Sequence, residues 1–209
     1  MAEQPDHTAQ VRHLLSRVHK LLCALKYQEA LPLAQRAVAL APTHREAWCE
    51  LGATCGYLRR VAELEEAFER ALPLALTRED ELDTWFCRGI AENNADAWGA
   101  AVRSFTRLAE LAPELGFPWL MRGMVLGNMG AFLDRRYHEE ALVALDRALA
   151  RRGLSPHDKR VAYSLQYFSL VGLGRKDEAA EAKGGRRKAK EMRRAERQAK
   201  KLDRQRPLR

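Results

Sequence analysis

Apolar residues recur along this chain at intervals of four and three. Ala30, Ala34 and Ala37 are spaced this way, as are Leu64, Phe68 and Ala71, then Ala101 and Phe105, then Ala141, Leu145 and Ala148. That spacing gathers side chains on one face of a helix, while alternating runs of Val, Ile, Thr or Tyr, the mark of a half-buried strand, are almost missing. Ala, Leu, Arg and Glu, all good helix formers, dominate the composition. The pattern predicts an all-α chain. Several helix ends are also legible. Thr43-x-x-Glu46 has the form of a capping box, and Ser155-Pro156 places a cap residue before a proline at the first helical position. Pro42 and Pro113 are expected just past helix ends, and Gly172–Lys176 in a turn between helices.

The apolar groups also repeat. Ala30 to Leu64 and Ala37 to Ala71 are both 34 residues apart, and the Trp85-x2-Arg88-Gly89 group returns as Trp119-x2-Arg122-Gly123 after another 34. Ala47-Trp48-Cys49-Glu50-Leu51-Gly52, followed by Leu64-x3-Phe68-x2-Ala71-Leu72, is the fullest copy. It resembles the tetratricopeptide (TPR) repeat, in which Trp, Leu and Gly mark a first helix and Ala, an aromatic and Ala mark a second. Cys55 stands where that pattern usually has Tyr, and Arg88 and Arg122 stand where it has Leu. A fourth copy has Gly130 as its expected turn glycine and about six residues inserted around Ala131–Arg136; a fifth and weaker one carries Tyr163, Gly174 and Ala179.

The resemblance implies a TPR-like right-handed solenoid of about five antiparallel helix pairs with a basic C-terminal helix. The expected organisation is a disordered N-terminus over 1–10, a TPR-like helical repeat domain over 11–182 and a basic helical tail over 183–209. Small residues such as Gly52 and Gly89 are expected to let helices approach, with Phe68 and Phe105 filling the space beside them. One pair cannot bury its own apolar side, so stacking must supply the core.

In that family the first helix of each pair lines a concave surface. Matching the repeats assigns Leu15, His19, Tyr57, Phe86, Ile90, Asn94, Phe117, Leu120, Met124 and Asn128 to it, with Cys49, Ala53, Val161 and Phe168 in the same register. The face is mostly apolar, which suits a hydrophobic peptide or an amphipathic helix of a partner protein. TPR proteins that grip the acidic tails of chaperones use Lys, Arg and Asn at these positions. Here they hold Leu15, His19, Ala53, Phe86 and Ile90, which excludes that carboxylate clamp. Filling of the face by the chain's own C-terminal helix, or homodimerisation, is the competing expectation.

Charge then adds a second feature. The chain is +8 overall, but Lys183–Arg209 alone carries thirteen Lys and Arg against three acids, so the body is slightly acidic. Gly184-Gly185 reads as a break, after which one helix is expected. It offers Arg186, Arg187, Lys188, Lys190, Arg193, Arg194, Arg197, Lys200, Lys201 and Arg204 to polyanions, and Met192, Ala195, Ala199 and Leu202 form a thin apolar seam. The tail has no aromatic residue to stack a base. Its plain reading is a solubilising cap on the last repeat; the alternative is a sequence-independent nucleic-acid or ribosome-associated anchor.

Nothing in the sequence assembles a catalytic site. The six histidines are not spaced to bind a metal, and the glycines at 172 and 174 lack phosphate-loop spacing. Asp134–Glu140 reads as a solvated loop and helix start. No secretory leader or membrane span is expected, and Cys23, Cys49, Cys55 and Cys87, each in an apolar helical stretch, are expected reduced and buried. The expected protein is a cytoplasmic, non-enzymatic scaffold without cofactor or metal. It binds a protein partner, and binding nucleic acid through the tail is the second reading.

Overall fold

The computed structural model describes residues 7–204, with side chains described up to residue 198 except at 196. Among the described residues there are ten α-helices and one short 3-10 turn, Leu72–Leu74. They pair as antiparallel neighbours: α1 (Thr8–Cys23) with α2 (Tyr27–Leu40), α3 (Arg45–Tyr57) with α4 (Val61–Ala71), α5 (Arg78–Asn94) with α6 (Trp98–Leu111), α7 (Gly116–Phe132) with α8 (Tyr137–Ala150), and α9 (Pro156–Leu173) with α10 (Lys176–Arg204). The first three pairs form one compact unit ending at Leu111, and the last two form another beginning at Ala112. In the first unit α1, α3 and α5 lie side by side, and in the second α7 and α9 do. Residues 1–6 of the expected disordered terminus lie outside the described residues, and Thr8–Gln10 already belong to α1.

The glycines of the first helices are contact points. A Cβ on Gly52 would lie 2.5 Å from the Phe68 ring, one on Gly89 2.7 Å from Phe105, and one on Gly123 2.7 Å from Leu145. Each large side chain comes from the second helix of the same pair, and all three are fully buried. Between pairs, a Cβ on Gly56 would lie 2.6 Å from the Ala91 carbonyl oxygen, so α3 and α5 approach at backbone distance. Cys55 sits in that tight layer with Ala91 and Ala95, where a tyrosine ring would find little room. Burial, with a smaller contribution from Glu63, pushes the Cys55 thiol up to about 11, so it stays protonated.

Turns repeat as faithfully as packing. Leu25, Arg59 and Asp96 adopt left-handed φ of 60°, 59° and 58° between the helices of the first three pairs, and Gly174 does the same at 77° in the last. In each case the following amide donates back five residues: Lys26 to Leu21, Arg60 to Cys55, Ala97 to Glu92 and Arg175 to Leu170. This closure satisfies the last carbonyls of the first helix. Only the last of the four turns uses the glycine that sequence reading looks for.

Helix starts follow the sequence in part. Ser155 caps α9 with a full capping box to Asp158, with Pro156 at the first position, as expected. The Thr43–Glu46 box does not form: α3 starts one residue later than that box requires, with His44 at its cap and no side-chain cap bond. The Trp48 indole instead donates to the Pro42 carbonyl at 2.8 Å, tying down that corner. A second box, Thr77 with Asp80, opens α5.

Two glycine expectations are overturned. Gly130 is no turn residue; α7 continues through it to Phe132. Gly184 and Gly185 do not break the chain, because α10 runs without interruption. Both follow from packing. A Cβ on Gly185 would lie 2.6 Å from the Tyr163 ring, and one on Gly130 2.4 Å from Nδ1 of His138.

His138 also corrects the reading of 134–140 as solvated, since it is 3% exposed at the start of α8. Its ring lies between Gly130 and Gly172, where a Cβ on Gly172 would meet Nε2 at 2.5 Å, and edge-on to Phe168 at 5.9 Å. Burial first, then the charge of Arg135, lowers its pKa. The unfolded chain therefore takes up a proton as pH falls through about 6.5, before the folded chain does. Stability is expected to fall with decreasing pH below about 6.5, by at most about 1.4 kcal/mol per pH unit from this group. Thermal melts at pH 7.5 and pH 5.5 should show the loss, and His138→Leu should remove part of it. An identical pH dependence in the variant would contradict the assignment.

Candidate functional site

The residues assigned to the partner face fall into two groups, one in each unit. In the first unit, Phe86, Ile90 and Asn94 make one stripe along α5 at four-residue spacing, all half-buried. Tyr57 on α3 is 38% exposed and stacks flat on Tyr27, with ring centroids 4.5 Å apart. Leu15 on α1 is half-buried against the cluster of Leu14, Ala37 and Ala47. His19 is exposed, with Nε2 3.7 Å from the Cys23 sulfur.

In the second unit the repeat register needs correction at Leu120. That side chain is 4% exposed and belongs to a core cluster with Leu145, Ala148, Leu154 and Ala162. Its equivalent in α3, Cys49, is likewise buried. Leu120 faces the neighbouring helices rather than solvent, so it cannot touch a partner in this arrangement, whereas Phe86, at the same position of α5, is half-buried. Phe117 is half-buried against the same cluster. Met124 and Asn128 are half-buried on α7.

Phe132 continues the Met124–Asn128 stripe by a further turn and is 74% exposed. On the adjacent α9, Phe168 and Val171 are 52% and 51% exposed. With Tyr167, 37% exposed on α9, these three are large apolar side chains exposed on the paired first helices of this unit. Phe132 escaped the sequence reading because α7 was expected to turn at Gly130. The signal that could have shown otherwise is the four-residue spacing Met124–Asn128–Phe132.

The arginines that depart from the repeat pattern also find roles. Arg88 covers Trp85 at 5.5 Å from the ring centroid and holds Glu92 by Nε at 2.8 Å. Arg122 and Arg147 lie over Trp119 at 6.0 and 4.7 Å, and burial lowers the pKa of Arg122. At the other end of α5, Arg45 bonds Asp83 at 2.8 Å and Thr84 at 3.1 Å, with the Cys49 sulfur at 3.8 Å. Of the cysteines, Cys49 and Cys55 are buried, Cys87 is half-buried and Cys23 is exposed, which corrects the expectation that all four are buried.

The basic residues of the tail prove to be part of the last helix pair. Arg186, Arg187, Lys188, Lys190, Arg194 and Arg197 are exposed on α10, and Arg193 is half-exposed; the side chains of Lys200, Lys201 and Arg204 lie outside the described ones. The expected apolar seam is displaced. Met192 and Ala195 are exposed, Ala199 and Leu202 lie outside the described side chains, and the buried seam is Ala179, Ala182 and Ala189. Among the described residues no group of His, Cys, Asp or Glu could hold a metal ion, and no helix is long and apolar enough to cross a membrane.

No family model and no curated protein matches the chain. Solved structures do. MamA matches with a TM-score of 0.61 at 18% identity, covering 85% of this chain and 96% of its own. TTC0263, a thermophilic TPR protein of Thermus thermophilus, matches at 0.58 and 22%, covering 84% and 89%. YrrB, described as a TPR protein with an unusual peptide-binding site, matches at 0.55 and 18%, covering 90% of each. At these identities the likeness is one of fold, and the fold is that of the TPR helical repeats.

Proposed function

For a chain with the tetratricopeptide-repeat fold, we propose the function of a protein–protein interaction scaffold whose first helices receive an amphipathic helix or hydrophobic peptide of a partner. The observation that carries this reading is the exposed apolar set Phe132, Phe168 and Val171 on the neighbouring helices α7 and α9. Large apolar side chains exposed on two adjacent helices mark interaction sites more often than chance surface. Met124 and Asn128 extend the face along α7, and in the first unit Tyr57, Phe86, Ile90 and Asn94 supply a second strip of similar character. The peptide-binding site named for YrrB, a protein of the same fold, is in keeping with it. The proposed compartment is the cytoplasm, and homodimerisation through the same face is the competing outcome.

The test is affinity capture with wild type and Phe168→Asp/Val171→Asp side by side, followed by titration of the recovered partner, purified, against both. Both side chains are half exposed, so the helix content should be unchanged. Hot-spot aromatics cost about 2 kcal/mol or more when lost, so affinity should fall by about thirtyfold. Equal affinity at equal helicity would overturn the reading, as would wild type that self-associates through these residues and captures nothing else.

A further inference from the structure

We infer that the last helix pair carries a binding site for the phosphodiester backbone of nucleic acid, built jointly by α9 and α10. It is separate from the apolar face, rests on different residues, and does not depend on the scaffold reading. A recess of about 720 Å³ opens between these two helices, lined by Arg160 of α9 and by Lys183, Arg186, Arg187, Lys190 and Arg193 of α10. Among the described residues the rest of its lining is Ala180 and Gly184, so six cations meet with no described carboxylate among them. None of the six has an ion pair with a described carboxylate.

The fold explains why the charges converge. The buried seam Ala179, Ala182 and Ala189 lays α10 along α9, and Gly185 admits the Tyr163 ring where a side chain would hold the helices apart. That fixes the helical phase. Lys183, Arg187 and Lys190 then rise along one edge at spacings of four and three, Arg186 and Arg193 beside them. From 183 to 193 the edge is about 15 Å long. A single phosphate would engage one or two of these groups, whereas a strand placing phosphates every few ångströms along its axis engages most of them. Four of the six are arginines, whose planar forks match phosphate oxygens two at a time. Among the described residues the lining holds no aromatic side chain to stack a base and no apolar anchor to seat a peptide. The chemistry therefore fits a repeated phosphate, read without regard to sequence.

This differs from a generally basic tail in two respects. Arg160 lies outside the basic segment, and Lys188, Arg194 and Arg197 of α10 lie outside the recess. The test uses the full chain and labelled oligouridylate and oligothymidylate of about twenty nucleotides, titrated by fluorescence anisotropy over a series of salt concentrations. Lys183→Gln/Arg187→Gln/Lys190→Gln is compared with Lys188→Gln/Arg194→Gln/Arg197→Gln, which has the same net charge. The recess variant should bind at least tenfold more weakly and lose about 2 from its salt slope, at about 0.7 per lost contact. The control should lose much less, and Arg160→Gln alone should weaken binding several-fold. Binding of RNA, of DNA or of both supports the shared phosphodiester chemistry and says which source is preferred. Equal losses in the two triple variants, or no binding by wild type at about 50 mM salt, would overturn the site. So would polyglutamate or anionic lipid vesicles competing as well as the oligonucleotides at equal charge.

Discussion

Gly52→Ala is expected to destabilise the first unit by about 2–3 kcal/mol and Phe68→Ala by about 3–5 kcal/mol, while the double variant costs at least about 1 kcal/mol less than their sum. The single changes fail in opposite ways. Alanine at 52 drives its Cβ to 2.5 Å from a ring that is itself fully buried, so α3 and α4 must separate or the ring must leave its rotamer. Alanine at 68 leaves a cavity beneath α3, and the new methyl at 52 partly fills that cavity. Urea unfolding of the four proteins gives the cycle directly, and strict additivity would show that the glycine and the ring do not share one space. The same argument applies to Gly89 with Phe105 and, in the second unit, to Gly123 with Leu145.

That cycle also shows what the sequence could convey. The 34-residue offset places a small residue on one helix opposite a large one on the next, and this complementarity survives translation into three dimensions because it concerns residues of one hairpin. The five helix pairs and the Ser155 cap were legible for the same local reason. Glycines elsewhere were misread. Gly130 and Gly185 look like turn residues in one dimension, but each is small because a ring from another helix, His138 or Tyr163, occupies the place of its side chain. Nothing within a few residues announces such a partner. The reverse error occurs at Leu25, Arg59 and Asp96, which make left-handed turns without glycine. For the apolar face, the register assigned Met124 and Asn128, which lie four residues apart on α7, together with Leu120, which the fold buries. The two sides of a helix differ by one residue in register, and which side is covered depends on how tightly the next helix packs. The basic recess was hidden for a related reason: charge counting marks a segment, whereas a site needs the phase of α10 against α9.

Glu92→Ala should cost about 3–5 kcal/mol, a loss as large as that of a core aromatic. Glu92 is a carboxylate 1% exposed in the interior of α5. Arg88 Nε donates to one oxygen at 2.8 Å, and the Ser104 hydroxyl of α6 donates to the other at 2.6 Å. Both partners are largely buried, so removal of the carboxylate strands a guanidinium and a hydroxyl away from water. Glu92→Gln keeps the shape and an acceptor for one donor but gives up the charge, and should fall between alanine and wild type. The decisive variant removes all three groups together. Arg88 stands where the repeat pattern has leucine, so Arg88→Leu/Glu92→Leu/Ser104→Ala replaces the polar group with a continuous apolar contact between α5 and α6. Well-packed apolar replacements of buried ion pairs are commonly neutral or stabilising, so the triple variant should recover most of the loss. Urea midpoints at unchanged m-values would establish the order alanine, glutamine, triple variant. If Glu92→Ala costs under about 1 kcal/mol, the carboxylate is not what joins the two helices; if the triple variant is as unstable as alanine, the defect is one of packing rather than stranded charge.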